Sequence, residues 1–325
     1  MHPSPASRSL LPATGSPGGG MYNRACPAAM TGDNLTPGVR EWCQHGTRLT
    51  YQGHAVFVRV AGSGPALLLI HGYPTASYDW HSVWAALSQR YTLVAIDMLG
   101  LGLSDKPATL NYCIGGHADL QEWVMRTLGF PRFSLMAHDL GVSVAQEMLA
   151  RRMQNPGLAD IDAVVMLNGG LFPETYRPRF ILRLLSSPFG YLIARRMSRS
   201  AFERSMQPLF GMASPPDTAL IDDFWALVTH NDGLRVTHRV GRFWQERLTL
   251  RHRLVAPLLE RAVPVRFING LSDPNSGRHM ADRYSELVPG ADVVRLEGVG
   301  HWPQLEQPDR VVQCALEFLA RHARA

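Results

Sequence analysis

The sequence predicts an α/β fold, a mostly parallel sheet of eight strands with helices on both faces and a helical cap above it. Three observations lead there. Short unbroken apolar runs such as Ala66–Ile70 alternate with helical patterns along most of the chain, and strands buried on both faces of a parallel sheet read that way. One run, residues 133–136, leads through Ala137-His138-Asp139-Leu140-Gly141 directly into a helical pattern, a strand–turn–helix with one exposed corner. Between residues 171 and 261 the alternation stops and only helical pattern remains. An insertion of that kind is most simply a cap over the carboxyl ends of the strands, where open α/β sheets bind ligands.

Taken in order, residues 1–35 are rich in Pro, Gly, Ser and Ala without any period. This segment is expected to be disordered, and Met21 and Met30 are alternative starts. Strands are expected at 49–52 and 54–60, the second with Val56, Val58 and Val60 on one face. The turn Gly62-Ser63-Gly64-Pro65 delivers the chain to the buried run at 66–70, and further strands follow at 93–96, 133–136, 161–167, 263–268 and 293–296. Helical patterns lie at about 78–88, 117–128, 140–153, 277–287 and 308–323. The core is therefore expected at 36–170 and 262–325, with the cap at 171–261 anchored by Phe180, Leu184, Leu185, Phe224, Trp225, Phe243 and Trp244.

A chain of 325 residues that is 46% hydrophobic is large enough to bury such a core. Its net charge of +5 is mild. The densest basic stretch, 177–204, lacks the look of an aromatic-interleaved nucleic-acid surface, so no nucleic-acid partner is expected. Cys26, Cys43, Cys113 and Cys314 are scattered without metal or redox spacing. That suggests a reducing compartment, hence a cytoplasmic protein, and no metal site. No apolar run approaches the ~20 residues of a membrane span. The stretch 177–204 does mix apolar and basic residues as an interfacial helix would. Roofing a pocket asks for the same pattern, and that is the favoured account, with peripheral membrane association second.

The exposed corner carries Asp139 where a serine is the familiar occupant. A carboxylate there attacks with oxygen and makes an ester of the protein, which points to enzymes that open epoxides or displace halide from carbon. A base and an orienting acid are then required. Asp273 follows the seventh strand in a turn-rich segment, and His301 follows the eighth in Gly298-Val299-Gly300-His301-Trp302-Pro303, the chain order nucleophile, acid, histidine. His301 would deprotonate a water that attacks the Asp139 ester while Asp273 holds the imidazole. His71-Gly72-Tyr73-Pro74 follows the third strand, so the backbone N–H groups of Tyr73 and Leu140 would form an oxyanion hole. The bland alternatives are an N-cap for Asp139 and loop roles for the others. By position alone, Asp97 and Glu174 also compete as the acid. What favours the triad is that three weak signals fall at three strand ends in the required order.

Together these motifs resemble the α/β-hydrolase superfamily, specifically its branch of epoxide hydrolases and haloalkane dehalogenases, over roughly residues 51–319. The stretches 71–80, 97–107 and 168–175, with His230-Asn231-Asp232-Gly233, look closest to the mesoderm-specific transcript family and its bacterial relatives. The resemblance implies a cofactor-independent hydrolase acting on a small apolar organic substrate and water. In dehalogenases that place the acid after the sixth strand a Glu stands at the position of Asn168, so Asn168 is compatible with Asp273 as the acid. Dehalogenases hold halide with side-chain N–H groups at the positions of Tyr73 and Leu140, and neither residue supplies the usual donor. Epoxide hydrolases use two cap tyrosines to protonate the opening oxygen, for which this cap offers Tyr176 and Tyr191. Trp225 in the cap and Trp302 beside His301 are further candidates to touch substrate. Ring opening is therefore the leading expectation, followed by dehalogenation with an altered halide site, and then a binding or lipid-interacting protein of low turnover.

Overall fold

A computed structural model describes residues 35–158 and 160–322. Almost all of the N-terminal segment expected to be disordered lies outside the described residues. The chain runs through α1 (Pro37–Gln44), β1 (Gly46–Tyr51), β2 (His54–Ala61), β3 (Ala66–Ile70), a 3-10 turn (Ser77–Trp80) into α2 (His81–Ser88), β4 (Thr92–Ile96), α3 (Ile114–Thr127), β5 (Arg132–His138), α4 (Leu140–Gln154) and β6 (Asp160–Leu167). The insertion holds α5 (Phe180–Leu185), α6 (Gly190–Arg195), α7 (Arg199–Met206), α8 (Thr218–Thr229), α9 (Leu234–Val240), α10 (Phe243–Thr249) and α11 (Arg251–Leu259). The core resumes with β7 (Val265–Gly270), α12 (Arg278–Leu287), β8 (Asp292–Leu296), α13 (Pro303–Glu306) and α14 (Pro308–His322).

The eight strands form one sheet in the order β1-β2-β4-β3-β5-β6-β7-β8. Only β1 and β2 are antiparallel to their neighbours, and the other pairs are parallel. The hairpin between them closes through Gln52 and Gly53, both with positive φ, as a primed two-residue turn requires. Helix α1 had no expectation in the sequence, yet its start is well marked. The Thr36 hydroxyl accepts from the Val39 N–H and Pro37 takes the first helical position.

Alternate side chains of the strands feed two cores. Leu68, Ile70, Val94 and Leu135 pack against α3, α4, α11 and α12 on one face. Leu67, Leu69, Ala95 and Met136 pack against α1, α2 and α14 on the other. Helix α11, expected within the cap, instead lies along α4 in the core layer. The cap has its own apolar nucleus of Phe202, Met206, Ile221, Phe224 and Val228, and Trp302 from the core inserts into it.

Candidate active site

The corner after β5 is where the backbone is strained. Asp139 has φ 49 and ψ −109, a conformation that costs a non-glycine residue ~1–3 kcal/mol and persists only when the surroundings impose it. Two glycines allow that. A Cβ on Gly141 would lie 2.3 Å from the Ile70 carbonyl oxygen, and one on Gly72 would lie 2.7 Å from the Asp139 Cβ. The Asp139 side chain makes no capping hydrogen bond to α4, so the bland N-cap reading does not fit. Its Oδ2 instead accepts from the Tyr73 backbone N–H at 3.0 Å. Leu140, fully buried, opens α4, where the first N–H groups of a helix have no partner within it.

His301 and Asp273 arrive at this carboxylate from two other strand ends. His301 Nδ1 is 2.8 Å from Asp273 Oδ2, and its Nε2 faces Asp139 Oδ1 across 3.9 Å. All three side chains are buried. Burial works against a charged Asp273, but the facing His301 and hydrogen bonds from His301, Ser276 and Asn168 hold it well below the usual carboxylate range. Burial likewise pushes His301 down, and the Asp273 charge and hydrogen bond, with the Asp139 charge, overcome it and leave the pKa raised.

Asn168 does more than leave room for Asp273. Its Nδ2 donates to Asp273 Oδ2 at 3.0 Å and to the Gly270 carbonyl at 2.9 Å, while its Oδ1 accepts from the Gly270 N–H at 2.7 Å. One amide thus fastens the ends of β6 and β7 together and fixes the acid. The rival acids have other partners. Asp97 accepts from the N–H groups of Ser77 and Leu103, and Glu174 forms a two-pronged pair with Arg251 at 2.8 and 2.7 Å.

A cavity of about 690 Å³, measured out to its mouth, opens over Asp139 and His301. Its walls are mainly cap side chains, among them Leu182, Leu185, Phe202, Met206 and Phe243. Tyr176 and Tyr73 supply phenol groups to the lining. Burial and the Asp139 charge push the Tyr176 hydroxyl up, and burial, partly offset by a hydrogen bond with Thr237, pushes Tyr73 up to about 12. Both stay protonated at neutral pH.

The other candidates are elsewhere. Tyr191 is half-exposed on the outside of the cap, edge-on to the His238 ring, with its hydroxyl accepting from Arg195 at 2.8 Å. It does not line the cavity, because the short helix α6 turns that face outward. Trp225 packs on Phe202 behind the lining, at a ring distance of 5.5 Å. Trp302 is buried between Phe210, Phe224 and the edge of the His301 ring. It lies against the histidine ring and does not line the cavity.

Arg247 has no counterpart in the sequence expectations. It reaches from α10 to the elbow, fully buried, donating Nη2 to the Asp139 carbonyl oxygen at 2.9 Å and Nε to Ser143 Oγ at 2.5 Å. Its guanidinium lies over the rings of Phe243 and Tyr176 at 4.6 and 5.0 Å. The only trace in the sequence is the spacing of Phe243 and Arg247, which puts them on one helix face. An arginine on an amphipathic helix otherwise reads as a solvated residue.

Sheet order, elbow and cap define an α/β hydrolase, and the chain belongs to that family: the model of the alpha/beta hydrolase fold matches residues 65–308. Among individual relatives, the mouse (Mus musculus) mesoderm-specific transcript protein is 35% identical over 297 residues, covering 88% of this chain and 89% of the relative. The protein named LipZ from Mycobacterium tuberculosis is 35% identical over 285 residues, 87% of this chain and 99% of that one. Solved structures with the same fold include the epoxide hydrolase CorEH, at TM-score 0.70 and 20% identity over 85% of this chain and 98% of that one. The haloalkane dehalogenase DbeA from Bradyrhizobium elkani follows at TM-score 0.72 and 19% identity, over 85% and 97%.

Proposed function

We propose that this hydrolase opens an epoxide or similarly strained ring through a covalent ester on Asp139. The observation that carries the reading is the convergence at one cavity floor of a strained, buried Asp139, a His301–Asp273 pair aimed at it, and the Tyr73 N–H on its carboxylate.

The steps follow from those positions. One carboxylate oxygen of Asp139 attacks a ring carbon, the carbon–oxygen bond breaks, and the departing oxygen takes the proton of Tyr176. His301 Nε2 then takes a proton from water as the water oxygen adds to the Asp139 carboxyl carbon. The resulting oxyanion is met by the N–H groups of Tyr73 and Leu140. Collapse releases the diol. The two protons of the water end with one on the new hydroxyl, by way of His301, and one restoring Tyr176.

Leu140 has no side-chain donor and Tyr73 directs its hydroxyl to Thr237 Oγ1 at 3.0 Å, so nothing at these positions holds a halide. Ring opening, which asks only for a proton at oxygen, is the better match to this lining. His301→Gln should stop the second step and leave substrate bound to Asp139. Intact mass spectrometry after exposure to a panel of epoxides and bromoalkanes reads this directly. An adduct from an epoxide, absent in Asp139→Asn, supports the reading. An adduct from bromoalkanes alone makes the protein a dehalogenase with a new halide site, and turnover by wild type with no adduct in the variant overturns the ester.

A further inference from the structure

We propose that the outer face of the first two cap helices, α5 and α6, is a docking surface for anionic lipid bilayers. The face is apolar to a degree unusual for a solvated helix pair. Phe180 is 78% exposed, Phe189 69%, Leu192 49% and Tyr191 39%. Long apolar side chains normally reach such exposure singly, and four of them along two successive short helices mark a contact site.

Charge says what the contact is. From residue 175 to 202 there is no Asp or Glu, while Arg177, Arg179, Arg183, Arg195, Arg196 and Arg199 fall in the same stretch. Arg177, Arg183, Arg195 and Arg196 are exposed, and among the described residues none of them sits in an ion pair with a carboxylate, unlike Arg199, which is held by Glu203 and Asp222. Exposed aromatics interleaved with guanidinium groups outside any carboxylate ion pair match the headgroup level of a bilayer, where ring faces sit at the boundary and cations meet lipid phosphates. A second copy of the chain is a poor occupant. A twofold contact would bring Arg177, Arg183, Arg195 and Arg196 of one face against those of the other, with Asp232 beside Arg195 too little acid to offset them.

The placement also has a use. Helix α5 sends Ile181, Leu182 and Leu185 into the cavity lining while Phe180 points outward, so one helix, ~10 Å across, separates the substrate cavity from the docking face. Docking would set the apolar cavity against the phase in which apolar molecules accumulate. The inference stands apart from the Asp139 chemistry, since binding is read without turnover.

The test is co-sedimentation of the full-length protein with sucrose-loaded vesicles of phosphatidylcholine containing phosphatidylglycerol, against phosphatidylcholine alone. Wild type should bind the anionic vesicles, weakly or not at all the neutral ones, and release at high salt. Arg183→Glu with Arg196→Glu should weaken binding at least tenfold, at ~fivefold per arginine charge removed, and separately Phe180→Ser with Phe189→Ser should weaken it at least ~tenfold by withdrawing apolar area from the bilayer boundary, both with an unchanged melting temperature because all four side chains are exposed. Absence of binding to anionic vesicles, or binding untouched by both pairs of substitutions, overturns the proposal. So does a concentration-dependent dimer in light scattering that the same substitutions abolish, which would make the face a self-association surface.

Discussion

At the scale of single residues, the site is a problem of holding opposite charges without water. Asp273 stays charged and His301 keeps a raised pKa because each is the other's partner. A histidine must be neutral to act as a base, so hydrolysis of the ester should fall as pH drops through the His301 value, which lies above the ordinary 6.5. Asp273→Asn removes the main influence raising it. The acid limb of a pre-steady-state deacylation profile should then move to lower pH, with the maximal rate down by up to ~10⁴-fold, the scale of losing an orienting carboxylate. An unmoved limb would mean that another group titrates there. Asn168 gives a second prediction. Asn168→Ala strips Asp273 of one donor and leaves the Gly270 N–H without its acceptor, which should cost about 1–3 kcal/mol in urea unfolding and slow deacylation more than alkylation.

Among elements, the elbow is a contract between β5, α4 and α10. Arg247 is the clause contributed by the cap, with one hydrogen bond from α10 to the Asp139 carbonyl of the strained turn and one to Ser143 in α4. Arg247→Met keeps the volume and removes a buried cation, so the melting temperature should stay within a few degrees. The alkylation step should nevertheless slow by ~100-fold, since a shift of about 1 Å in a reacting group costs that much. Equal rates for the variant and wild type would reduce Arg247 to a packing residue. Helix α11 shows why insertion boundaries are hard to draw from a sequence. Its apolar residues Leu254, Val255 and Leu258 serve the core beside α4, yet in pattern they continue the cap helices before them.

For the whole molecule, pH couples to folding through groups far from the elbow as well as through those at it. His117, buried in the first core, is pushed down to about 3 by burial and by neighbouring His71. The unfolded chain takes up that proton below pH 6.5 while the folded one resists it, so stability should fall as pH drops from about 6.5 toward 3. Asp273, also depressed, adds stability above its unfolded value and loses it on acidification, in the same direction. The raised His301 acts oppositely, stabilising below its unfolded value and ceasing to as pH rises through its folded one. Urea midpoints at pH 7 and pH 5 should therefore show a loss on acidification that His117→Gln reduces. An identical slope in that variant would assign the dependence elsewhere.

The sequence alone was enough for the sheet, the elbow and the three residues that meet there. Parallel strands need continuous apolar runs, and the turns at their carboxyl ends leave their chemistry-bearing residues in chain order, so Asp139, Asp273 and His301 are visible as positions before they are neighbours. Most strand bounds differ by only a residue or two, because the apolar run is the strand. Side-chain aim in the cap was not legible. Tyr176 and Tyr191 both fall early in the cap, yet Tyr176, in the connection before α5, lines the cavity while Tyr191 meets solvent, since the packing of α6 on α9 decides which face of that six-residue helix turns inward. Arg247 was hidden for the same reason. Its partners are a backbone carbonyl 108 residues away and a serine hydroxyl 104 away, and no local pattern records a contact that only packing creates. The position at which we propose the first bond forms, Asp139, is visible in the sequence. What faces the leaving group, and what the outer cap presents to its surroundings, depend on how short helices settle against one another.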